Sequence, residues 1–108
     1  PAFEDNGLYV ISSLSKAMPI PEEFSLNQAY PNPFNPVTTL SFAIPVDSDV
    51  SLSIYNLQGR EIATLIRGNM EAGYHSINWN ADQYASGLYF VTMLAGEYIN
   101  TQKLMLIK

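Results

Sequence analysis

The chain has 108 residues, 47% of them hydrophobic, which suits one domain with a single core and excludes a chain left disordered for want of apolar surface. A formal net charge of −5, with five Lys and Arg and no basic cluster, argues against nucleic acid and against anionic membrane surfaces as partners. Without cysteine there is neither a disulfide framework nor a thiolate metal site, and no apolar run approaches the ~18 residues of a membrane helix, so membrane insertion is not expected.

The sequence opens at Pro1 rather than Met and shows no basic-then-apolar leader, so it reads as a piece of a longer protein. Residues 1–23 are assigned to a linker or the tail of an upstream domain. Within them, Gly7-Leu8-Tyr9-Val10-Ile11-Ser12 has the composition of a short strand, belonging either to that upstream domain or to the edge of the domain below. Residues 12–23 are small, polar and punctuated by Pro19 and Pro21.

The domain proper is expected over residues 24–108, with a short strand at 24–28 leading into Tyr30-Pro31-Asn32-Pro33-Phe34-Asn35-Pro36. Three prolines cannot donate to a ladder and bias their predecessors to extended geometry, so this stretch is neither helix interior nor central strand. It reads as a rigid corner pinned to the core by the rings of Tyr30 and Phe34, feeding the first regular strand at Val37.

Beyond the corner, Leu40, Phe42 and Ile44 alternate with Thr39, Ser41 and Ala43, and Val50, Leu52 and Ile54 alternate with Ser51 and Ser53. This period of two places six inward residues on one face, with residues 45–49 punctuating the pair. Tyr55-Asn56-Leu57-Gln58-Gly59-Arg60 reads as a hairpin loop ending in a glycine bulge at Gly59. Residues 61–66 alternate poorly, which points either to a bulge or to an edge strand.

A polar loop is expected over 67–72, then a strand over 74–80 with His75, Ile77 and Trp79 on one face, then a loop over 80–86. Gly87-Leu88-Tyr89-Phe90-Val91-Thr92-Met93-Leu94 is apolar on both faces, as a central strand covered from both sides would be. Ala95-Gly96 turns the chain into a last strand over 97–107, closed by Lys108. Together these indicate an all-β, immunoglobulin-like antiparallel β-sandwich of about seven strands, with topology left open.

Chemistry is sparse. His75, the sole histidine, has no companion for general-base or metal work and reads as a partly buried residue satisfied by hydrogen bonds. Asp47-Ser48-Asp49 resembles a calcium-loop fragment but lacks the further ligands and reads as a turn. Glu22-Glu23 is a solvated pair, and the glycines Gly59, Gly68, Gly73, Gly87 and Gly96 are isolated between strands, so neither glycosidase carboxylates nor a phosphate loop is present. No catalytic residue, metal or cofactor is expected. Tyr30, Phe34, Trp79 and Tyr84 support one alternative, a carbohydrate-binding or adhesive module of a secreted protein, if they line a common face.

Four segments carry a resemblance: Leu26-Asn27-Gln28-Ala29-Tyr30-Pro31-Asn32-Pro33-Phe34-Asn35-Pro36, Ile54-Tyr55-Asn56-Leu57-Gln58-Gly59, Ser86-Gly87-Leu88-Tyr89-Phe90, and Lys103-Leu104-Met105-Leu106-Ile107-Lys108. In this order they resemble the type A C-terminal sorting domain of the type IX secretion system, the Por secretion system family, over about residues 24–108. The proline-rich motif is also similar to the immunoglobulin-like domain of the flagellar hook-assembly scaffold, a relative that fits less well because this chain ends on the Lys-terminated strand. The sorting-domain resemblance implies an immunoglobulin-like sandwich without catalysis. It also implies recognition by the outer-membrane translocon, with shuttle and sortase proteins of the system as further partners and an upstream cargo domain in the same chain. The protein would pass through the periplasm, be cut near the linker before Phe24, and reach the cell surface or the medium. By position, Gly87, Tyr89, Lys103, Leu104, Leu106 and Lys108 are the expected recognition residues, with the terminal strand offering backbone groups in the manner of strand addition. Residues Tyr30 to Pro36, Gly59, Trp79 and Gly96 are expected to be structural.

Overall fold

Alternating apolar and small polar residues become two facing sheets in the computed structural model, which describes residues 20–108. The short strand expected within residues 7–12 lies outside the described residues. Seven strands follow in order: β1 (Ser25–Leu26), β2 (Val37–Ile44), β3 (Ser48–Tyr55), β4 (Glu61–Met70), β5 (Gly73–Asn80), β6 (Gly87–Ala95) and β7 (Tyr98–Leu106). One sheet has the order β1-β2-β5 and the other β4-β3-β6-β7, with every neighbouring pair antiparallel. The described residues contain no helix. The result is an immunoglobulin-like sandwich in which the fourth strand pairs with the third.

All six residues expected to point inwards are buried: Leu40, Phe42, Ile44, Val50, Leu52 and Ile54. They do not share one face, however. β2 and β3 belong to different sheets, so three of these side chains meet the other three across the interior. Burial of each contributes about 1.5–3 kcal/mol relative to exposure, and together they hold the sheets face to face. Residues 45–47 carry the chain from one sheet to the other rather than closing a hairpin.

Two further expectations need correction. The loop placed at 67–72 shrinks to Glu71 and Ala72, because β4 runs on through Arg67, Gly68, Asn69 and Met70 in register with β3. β4 is an edge strand with wet faces at that end, so backbone pairing extends it without an alternating pattern to reveal it. Its poor alternation has both proposed causes, an edge position and register shifts at Leu52/Ser53 and Ile54/Tyr55. β6 is central, between β3 and β7, but only its inner face is covered: Tyr89, Val91, Met93 and Ala95 are buried, whereas Leu94 on the outer face is 43% exposed. Antiparallel sheets tolerate one solvated face, and no second layer covers β6 among the described residues.

Turn chemistry fixes the registers. The Asn56 carboxamide oxygen accepts from the N–H groups of Gln58 (3.0 Å) and Arg60 (2.9 Å), closing the β3–β4 hairpin at Gly59. At the β6–β7 hairpin, Gly96 has φ +60°, the left-handed geometry that a two-residue turn demands at its first position, and Ala95 pairs directly with Tyr98.

Candidate functional site

The corner that precedes β2 reaches across the sandwich to the last strand. Pro31, Pro33 and Pro36 have no N–H to offer, so pairing falls to the residues between them. Phe34 forms a parallel bridge with Leu106: its N–H donates to the Met105 carbonyl and its carbonyl accepts from Ile107 N–H, both at 2.9 Å. Asn32 does the same work with its side chain. Its Nδ2 donates to the Lys103 carbonyl (2.8 Å) and its Oδ1 accepts from Met105 N–H (3.0 Å), so one carboxamide supplies the donor and acceptor of a peptide unit. On the other side Tyr30 exchanges two 3.0 Å backbone bonds with Thr39, and buried Thr38 donates its hydroxyl to the Pro31 carbonyl (2.7 Å).

These contacts correct two readings. Only Phe34 pins the corner, at 2% exposure; the Tyr30 ring is 80% exposed. The terminal strand is also not a bare edge over residues 103–107, because the corner already occupies the Lys103 carbonyl, both backbone groups of Met105 and the Ile107 N–H. Little free backbone for strand addition therefore remains over Lys103 to Ile107.

Phe34 enters an aromatic cluster in which Trp79 lies 5.7 Å from it, 5.6 Å from Tyr84 and 5.8 Å from Tyr89 between ring centroids. Tyr84 hydroxyl donates to the Ile62 carbonyl (3.1 Å), and Tyr89 hydroxyl donates to the Ala85 carbonyl (2.6 Å) four residues upstream, the arrangement of a tyrosine corner. Phe34 and Trp79 are core residues, so the four aromatics do not form a sugar-stacking face.

Residues distant in sequence converge here. Gly87, Leu88, Tyr89 and Phe90 pair in turn with Leu106, Met105, Leu104 and Lys103, and Tyr55 pairs with Phe90 from the other side. The row Tyr55–Phe90–Lys103 thus crosses three of the four singled-out segments, and the remaining one, the proline corner, caps the strand that carries Lys103. Leu104 and Leu106 face the core, whereas Lys103, Met105 and Ile107 are exposed. Gly87 has φ +153°, which side chains rarely adopt, although an added Cβ would meet nothing within 4 Å; its requirement is conformational. Lys108 is tied to the loop before β6, its N–H donating to Ser86 Oγ (3.0 Å) and its Nζ to the Asp82 carbonyl (2.5 Å). A cleft of about 500 Å³ lies beside the capped strand, lined by Gln28, Asn32, Phe90, Thr101, Gln102 and Lys103.

The remaining polar candidates serve the frame. His75 Nε2 lies 2.8 Å from the Glu71 carbonyl and its ring stacks on Phe42 at 5.3 Å. Asp47 Oδ1 accepts from Ala72 N–H (2.8 Å) and Ser48 donates to the Val46 carbonyl (2.8 Å), as turn residues do. No group of three metal-binding side chains occurs among the described residues. Asn32 is the residue whose role sequence reasoning missed; its neighbours Pro31 and Pro33 offer no N–H, and a carboxamide that carries both a donor and an acceptor between them was the available signal.

A model of the family described as the secretion system C-terminal sorting domain matches residues 28–108. The chain belongs to this family, the sorting domains of type IX secretion. No curated protein matches the chain. Sorting domains of this kind are in general non-catalytic, act with the type IX machinery, and mark secreted, cell-surface or extracellular proteins. In this sorting domain the family match contains the corner, the β6 opening and the whole of β7.

Proposed function

We propose that residues 24–108 act as a folded address whose capped terminal strand is read by the outer-membrane translocon, with residues 1–23 linking it to an upstream cargo. In this reading the cargo crosses the periplasm, the shuttle and sortase proteins follow, and cleavage before Phe24 frees the cargo for the cell surface or the medium. The observation that carries it is the convergence of four separated segments at one end of the four-stranded sheet.

The six recognition residues divide by what they face. Leu104, Leu106 and Tyr89 are buried and Gly87 sets backbone geometry, so they hold the surface in place. Lys103 is exposed and available to a receptor, together with Met105 and Ile107. Lys108 secures the end of the strand through Ser86 and Asp82. Because Asn32 and Phe34 occupy most of the outward backbone from Lys103 to Ile107, the receptor reads side chains and the corner rather than adding a strand.

Deletion of residues 103–108 would remove two core leucines and so confuse misfolding with loss of address. The sharper experiment fuses the chain to a periplasmic cargo and replaces outward groups alone, Lys103→Glu with Met105→Ser and Ile107→Ser. The folded variant should leave cargo in the periplasm; surface delivery at the unaltered rate overturns the proposal.

A further inference from the structure

The two sheets present four edge strands, and three are blunted in different ways. β1 has two residues. β7 is capped by Asn32 and Phe34. β4 is interrupted by register shifts, carries Glu61 and Arg67, and yields its Ile62 carbonyl to Tyr84. β5 has none of these protections: all eight residues pair with β2 in unbroken register, and Gly73-Tyr74-His75-Ser76-Ile77-Asn78-Trp79-Asn80 contains no proline, lysine, arginine or carboxylate.

The direction of its free groups follows from β2. Thr39 spends its N–H and carbonyl on Tyr30, and the Ser41 carbonyl accepts from Asn27, so these residues direct their polar groups away from β5. The alternate residues Thr38, Leu40, Phe42 and Ile44 therefore bond to their partners Trp79, Ile77, His75 and Gly73. Tyr74, Ser76, Asn78 and Asn80 are left directing N–H and carbonyl groups outwards, and no described residue pairs with them. These four positions are symmetric about Ile77.

We propose that β5 pairs antiparallel with β5 of a second copy of this chain about a two-fold axis at Ile77. Tyr74 then lies opposite Asn80 of the second copy and Ser76 opposite its Asn78, so a single register satisfies every outward group on both strands. The inner row sets His75 opposite Trp79 and Ile77 against itself. No carboxylate or ammonium meets another, which keeps the net charge of −5 on each copy away from the junction. The union is a continuous six-stranded sheet, β1-β2-β5-β5-β2-β1. β7 is not involved, since β1 at the opposite edge of the three-stranded sheet is the strand that packs beside it, so pairing leaves the candidate address open.

Sedimentation equilibrium of the 108-residue chain should show monomer and dimer exchanging with concentration. Ser76→Lys combined with Asn78→Lys sets ammonium groups opposite one another and should weaken the dimer about tenfold or more. Ser76→Lys combined with Asn78→Asp instead sets ammonium opposite carboxylate and should restore association to within a few-fold of the unaltered chain. A chain that remains monomeric to about 1 mM, or a dimer that the double lysine variant leaves unchanged, overturns the proposal.

Discussion

β5 and β7 are edge strands of similar length in different sheets, yet among the described residues one is bare and the other is clothed. Neither protection nor its absence resides in the strand's own charge alone; it resides in what the chain laid beside it. The segment beside β7 is unable to form an ordinary strand because of its prolines, and it pairs through one backbone unit at Phe34 and one side-chain amide at Asn32. Such a cap ends the sheet, because the next residues out have few donors to pass on. The contrast teaches that the exposure of β7 is governed by residues some seventy positions earlier, whereas β5 lies open because no described segment is laid beside it.

The largest effect should come from removing the anchor of that cap. Phe34→Ala empties a buried site against Trp79 and should cost about 3–5 kcal/mol in chemical denaturation. Hydrogen exchange should quicken at Met105 and Ile107 N–H while the β2–β5 ladder stays protected at the same net stability. Equal loss on both ladders would show that the corner does not serve β7 in particular. Asn32→Ala removes two bonds, each worth about 0.5–1.5 kcal/mol, and should destabilise by about 1–3 kcal/mol. Asn32→Asp keeps the acceptor for Met105 N–H but faces the Lys103 carbonyl with a carboxylate, so it should not recover the loss; recovery in a thermal melt would reduce the donor half of the pair to nothing. Tyr89→Phe, which deletes one partly buried hydroxyl bond to Ala85, should cost about 1 kcal/mol.

The same contrast explains what was legible in the sequence. Strands buried on one face announce themselves by alternation, so the onset at Val37 and the six core residues of β2 and β3 were readable, as was the hairpin at Gly59 from its Asn and Gly. Which sheet each strand joins was not, because alternation specifies a face and not a neighbour. The extension of β4 through Arg67 and Asn69 left no pattern because an edge residue need bury nothing. β6 misled in the opposite sense: Leu88, Phe90 and Leu94 are apolar on a face that remains half open. The exposure of Tyr30 and the tie from Asn32 to Lys103 and Met105 depend on contacts across 71 and 73 positions, and no local period records those. The expected recognition residues came only from motifs; the division between buried Leu104 and outward Lys103 required the pleat to be placed on the core.

The smallest effect on stability should separate the two edges most sharply in function. Lys103→Glu and Ser76→Glu each place one new carboxylate on an exposed strand position, and each should shift stability by no more than about 0.5 kcal/mol. The first changes net charge by two units and the second by one, so Lys103→Gln, which changes it by one, is the matched partner for Ser76→Glu. If the capped strand is the address, surface delivery of a fused cargo should fall for both Lys103 variants and hold for Ser76→Glu, because only Lys103 stands in the row that Tyr55 and Phe90 complete. An equal fall for Lys103→Gln and Ser76→Glu would mean that export responds to overall acidity, and β7 would then lose its claim to be the surface that is read.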